Sequence, residues 1–121
     1  MKRLAFSGSG AKERYEIIYD GITGTTRGFE APGETRVIGK VLDKLESIGK
    51  TGEREDGRKS FILNGYGAGI VDLEEAEFQL AIQCLNAVRW TVQGARKATD
   101  AVEWFLKAEE PPVQETHDAT K

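Results

Sequence analysis

The hydrophobic positions of this chain change rhythm several times. Arg3 to Ser7 is short and mostly apolar, and Gly8-Ser9-Gly10 follows it. Between Arg14 and Tyr19, Tyr15, Ile17 and Tyr19 alternate with other residues in a β-branched, aromatic run. Two strands joined through a glycine turn are the predicted result. Gly21, Gly24 and Gly28 then break the chain, so residues 20 to 31 are expected to be loop, with a short third strand near Arg27 to Glu30.

At Pro32 the rhythm becomes helical. Proline suits a first helical turn, where its missing N–H costs nothing. Val37, Ile38, Val41, Leu42, Leu45 and Ile48 follow at helical spacing, and Gly49 supplies a stop. Lys50 to Lys59 is charged and glycine-punctuated, which predicts a loop. Ser60 to Asn64 predicts a short strand, and Gly65 to Gly69 a second glycine loop.

From Asp72 the chain predicts a helical hairpin. Asp72 and Glu75 resemble a capping box, and the first helix should reach about Arg89. Thr91 should cap a second helix over Val92 to Ala108, ended by Pro111-Pro112. The expected fold is α+β: a small antiparallel sheet packed on one amphipathic helix and a C-terminal helical hairpin. Residues 1–109 are expected to form one domain, and residues 110–121 a disordered tail.

Composition narrows the partners. With 17 basic and 20 acidic residues the net charge is −3, and the signs alternate, as in Glu53-Arg54-Glu55-Asp56. Nucleic-acid binding draws on clustered cations, so this pattern argues against it. No apolar run approaches the roughly 20 residues of a membrane span. The apolar start at Leu4 is interrupted by Ser7 and Gly8, so no secretory leader is expected, and a single cysteine fits a cytoplasmic setting.

Candidate chemistry is sparse. His117 is the sole histidine and sits in the expected tail, and Cys84 falls on an apolar helix face, so no catalytic residue is assigned. Gly49-Lys50-Thr51 lacks the strand and glycine spacing of a phosphate loop. Glu74-x-x-Glu77 and Asp100-x-x-Glu103 could face one another across the hairpin. Over these four residues the spacing resembles that of helical nucleotide pyrophosphohydrolases, which implies a magnesium-dependent hydrolase. Asp100 points away from the stripe Ala95, Ala98, Thr99, Val102 and Leu106, which argues against convergence, so neither metal nor cofactor is expected. Glu77 lies within the apolar arc of its helix, where a salt bridge to an arginine such as Arg27 or Arg36 is expected.

The hairpin carries more apolar surface than two helices need. Phe78 and Ile82 widen the stripe of the first helix, and Trp104 projects nearly opposite the stripe of the second. The leading expectation is a non-catalytic binding or assembly protein, a homo-oligomer or an inhibitor or adaptor of a larger partner. Its contact surface would comprise Trp104, Ala101, Phe105, Ala108, Phe78 and Ile82. The alternative is a small-ligand or nucleotide binder using Gly8, Gly10, Lys12, Arg27, Gly65, Gly67, Gly69 and Glu77, with Lys50 as a further cation. The magnesium hydrolase is third.

Overall fold

A computed structural model describes residues 1–29, 32–54, 57–64 and 69–110. In chain order the elements are β1 (Lys2–Phe6), α1 (Ala11–Thr23), α2 (Pro32–Ser47), β2 (Gly49–Glu53), β3 (Lys59–Leu63), β4 (Gly69–Leu73), α3 (Glu75–Asn86) and α4 (Val92–Leu106). The fold is α+β, with the helices packed around two antiparallel ribbons, β1–β4 and β2–β3. No described helix is long and apolar enough to cross a membrane.

The main departure from expectation is α1. The run expected to be a strand at Arg14 to Tyr19 lies inside this helix. Tyr15, Ile17 and Tyr19 do alternate, but Ala11, Tyr15, Ile18 and Ile22 also fall at helical spacing, and these, with Gly21, are the residues buried. Short apolar runs satisfy both periods, and tertiary burial decides between them. The preceding glycines favour the helix: Gly8 and Gly10 adopt φ of 79° and 82°, a left-handed turn that reverses β1 into α1.

The second departure is β2, in a segment expected to be loop. It contains no apolar residue, yet pairs with β3 from Gly49↔Leu63 to Glu53↔Lys59. Glycine at position 49 is what allows this. A Cβ there would stand 2.1 Å from the Tyr15 hydroxyl and 2.9 Å from the Ile62 carbonyl oxygen. Close approach of neighbouring groups explains a glycine inside a strand.

β4 was not anticipated either. Asp72, expected to cap a helix, sits in this strand opposite Arg3 and accepts two hydrogen bonds from its guanidinium at 2.8 and 3.0 Å. The capping box falls two residues later, at Glu74 and Glu77. Thr91 does cap α4, its hydroxyl accepting from the Gly94 N–H at 2.9 Å. The described part of the expected third strand, Arg27 to Phe29, has no regular structure. The tail beyond residue 110 lies outside the described residues.

The core draws on every element except β2. Leu4 and Phe6 of β1, Val71 and Leu73 of β4, Val41 and Leu45 of α2, and Phe105 of α4 are buried together. The Phe78 and Phe105 rings stack at 5.2 Å. After α1, Thr25 and Thr26 donate their hydroxyls to the carbonyls of Cys84 and Ala87, closing the C-terminal end of α3.

Candidate functional site

The most elaborate polar structure lies along α1. Glu13, Glu16 and Asp20 share one face of the helix at i, i+3 and i+7. Each meets a cation: Glu13 faces Lys97 of α4 at 3.4 Å, Glu16 faces Lys12 at 3.7 Å, and Asp20 meets both Arg54 and Arg58. Arg54 and Arg58 flank the turn between β2 and β3. Together these groups line a cleft of about 840 Å³ that extends to Thr91 and Gly94 at the start of α4.

Arg54 forms the floor of this cleft and is only 7% exposed. Its terminal nitrogens donate to Asp20 and to the Phe61 carbonyl, the latter at 2.8 Å. Its Nε lies 3.9 Å from Glu16, beyond hydrogen-bond reach. Arg54 Nε and Glu16 Oε2 are both buried without a hydrogen-bond partner. A buried polar atom left without a partner costs roughly 1–3 kcal/mol, so a polar group that reaches it is favoured there.

Two tyrosines brace the helix from behind. The Tyr15 hydroxyl donates to the Leu45 carbonyl at 2.6 Å, and Tyr19 donates to Glu46 at 2.9 Å. Burial, reinforced by Tyr19 and Glu46, pushes the Tyr15 hydroxyl up to about 12. Burial followed by the Glu46 hydrogen bond does the same for Tyr19, also to about 12.

A second cleft of about 420 Å³ adjoins the first and shares Gly10, Glu13, Ile17 and Lys97 with it. Arg14, Arg96, Asp100, Ala101 and Trp104 complete its walls. The Arg14 guanidinium lies 5.1 Å over the Trp104 ring and donates to the Ser7 carbonyl at 3.3 Å. Its Nε is buried and has no acceptor.

The residues singled out in the sequence are scattered relative to these clefts. Gly10 and Lys12 line the first, with Gly8 in the turn just before them. Arg27 is elsewhere, making two hydrogen bonds to Glu34. Lys50 is exposed on β2. Gly69 is packed against Ile48 at the start of β4, and Gly65 and Gly67 lie outside the described residues. Glu77 is buried, but its partner is Lys44 at 2.6 Å, not an arginine. The same lysine bonds the Asp72 carbonyl at 2.9 Å, so it ties α2 to the start of α3.

The expected contact surface on the hairpin is largely inside the molecule. Phe78, Ala101 and Phe105 are core residues, while Ile82 and Ala108 pack at its margin. Trp104 does not project freely, because Phe6 of β1 approaches its ring at 4.9 Å and Arg14 covers it. Beside it, α1 packs on α4. Among the described residues, no group of three or more acidic, histidine or cysteine side chains is placed to hold a metal. Cys84 is fully buried, and burial pushes its thiol above the ordinary value.

Sequence reasoning missed Arg54, Arg58, Glu16 and Asp20. Once α1 is recognised as a helix, its three acids on one face are the available signal. Comparison with known proteins finds no matching family model, no matching curated protein and no matching solved structure.

Proposed function

We propose that this chain is a non-catalytic binding protein that takes a small polar molecule in the groove between α1 and α4. The observation carrying this reading is the buried Arg54 at the floor of the larger cleft, with orphaned polar atoms on it and on Glu16. A ligand pocket commonly combines such a concavity with a few polar groups fixed by the scaffold. The ion pairs between α1 and its neighbours fix those groups here. Cys84, with its raised thiol, lacks the thiolate character of a nucleophile, and as the one cysteine it accords with a reducing, cytoplasmic setting.

The test is native mass spectrometry of the protein purified from cells, followed by thermal denaturation with each candidate molecule. A ligand that binds only the folded state raises the melting temperature. Ile17 lines both clefts, so Ile17→Trp fills the groove and should abolish that rise while leaving the unliganded protein folded. Equal stabilisation of Ile17→Trp and the unmodified chain would sink the reading.

A second reading retains the hairpin as a contact with another copy of the chain. It is favoured by an apolar groove of about 300 Å³ between α3 and α4, lined by Leu85, Val88, Trp90, Ala95 and Val102. Val92, 83% exposed, starts α4 beside it. Sedimentation of Val102→Asp should then show dissociation, and an unchanged sedimentation profile removes this reading.

A further inference from the structure

The geometry points to an oxyanion site in the smaller cleft, where Arg14 and Arg96 hold the phosphate-like group of a small-molecule ligand. This inference rests on the groove being the binding site and adds the chemistry of what enters it.

Charge pairing separates the two clefts. In the larger one the acids Glu13, Glu16 and Asp20 are each matched by a cation from the chain itself. In the smaller one, neither Arg14 nor Arg96 is ion-paired among the described residues. Arg14 and Arg96 are the arginines that line this cleft, so two guanidinium groups without an ion pair face one space. Arg14 has the sharper deficit: Trp104 holds its face, Ser7 takes one terminal nitrogen, and its buried Nε has no acceptor. Guanidinium groups match oxyanions through paired N–H donors, which makes phosphate-like groups the best-suited occupants.

The start of α1 at Gly10, which lines both clefts, has the same polarity. Gly10 caps α1 without a side-chain acceptor. Gly8 takes the Ala11 N–H and Gly10 takes the Arg14 N–H, which leaves the Lys12 and Glu13 amides without a backbone acceptor. Helix N-terminal amides favour negative charge. Glu13 and Asp100 also face this cleft and oppose an anion. Glu13 is already offset by Lys97, so Asp100 is the remaining unmatched acid.

The experiment is a titration with pyrophosphate at about 150 mM salt, where unspecific surface attraction is screened beyond about 8 Å. It is followed by NMR of the arginine Nε–H and backbone amide signals. Saturable shifts at Arg14, Arg96, Lys12 and Glu13 are expected. Arg96 is exposed, so Arg96→Gln should keep the fold and weaken binding about tenfold, the scale of one charge-assisted hydrogen bond. Lys50→Gln, on exposed β2, should change nothing. Shifts spread over all lysines, or undiminished in Arg96→Gln, would overturn the site. A short single-stranded oligonucleotide binding more tightly than pyrophosphate would overturn the small-molecule assignment. If pyrophosphate gives no shift but a neutral molecule still stabilises the chain and fails on Ile17→Trp, the oxyanion site falls and the groove reading stands. If neither binds, both fall.

Discussion

The two ribbons have the same length and the same antiparallel pairing, yet opposite chemistry. β1–β4 is held by burial: Leu4, Phe6, Val71 and Leu73 all point into the core, and only 0–3% of each is exposed. β2–β3 buries only Leu63 fully. It is held instead by what passes over and under it, with the Tyr15 hydroxyl against Gly49, Ile62 against Gly52, and Arg54 reaching back to Phe61 and Asp20. An apolar ribbon is anchored by its own side chains. A glycine-rich one depends on its neighbours, and here those neighbours also build the candidate groove.

Substitutions can break this contrast from either side. The largest effect should come from Phe6→Ala, which removes a fully buried ring contacting Tyr15 and Trp104 and should cost about 3–5 kcal/mol in urea denaturation. Gly49→Ala should follow at about 1–3 kcal/mol, an overpacking cost, because its Cβ would collide with the Tyr15 hydroxyl. Hydrogen exchange should localise that loss to β2 and β3 and leave the Leu4 and Val71 amides protected; equal deprotection of both ribbons would erase the distinction.

Alkaline pH sharpens it without mutation. Tyr15 and Tyr19 are raised to about 12 in the folded chain, against roughly 10 when unfolded. Their contribution is therefore fully present below pH 10 and is lost as pH rises through about 12, since the unfolded state releases its protons first. Denaturation midpoints should fall over that window, and more gently in Tyr19→Phe. The smallest effect belongs to the outer face of β1–β4. There the Arg3 hydrogen bond holds the Asp72 carboxyl below its ordinary value, so the pair's contribution is present above about pH 4 and fades as acid protonates Asp72. Asp72→Asn should cost less than about 1 kcal/mol at neutral pH, as for other exposed pairs. A larger loss would mean that this ribbon, too, leans on charge.

The same contrast governs what could be read in advance. α2 was legible because Val37, Ile38, Val41, Leu42 and Leu45 satisfy one period only. α1 was not, since its tyrosines and isoleucines fit two periods and burial alone chose between them. β2 was invisible because the reason for Gly49 lies in Tyr15, 34 positions earlier in the chain. Arg54 looked like one charge in a solvated run, and only the packing of the β2–β3 turn on α1 turns it into the floor of a cleft. Gly10 was singled out for its glycine loop and Lys12 for its charge, both local signals; the groups across the groove from them leave no such signal.

The pairing of β1 with β4 also bears on the order of assembly. Arg3 and Asp72 meet across 69 positions, and Arg3 bonds the still later Glu109. On the ribosome β1 is therefore synthesised long before either neighbour, while α2 and the β2–β3 hairpin close from local contacts. Contacts so distant along a chain slow folding, because the intervening loop must be ordered first. Until Leu73 has emerged, Leu4 and Phe6 have no strand to pair beside them, and this interval is when the nascent chain is most open to capture by chaperones or by other unfinished chains.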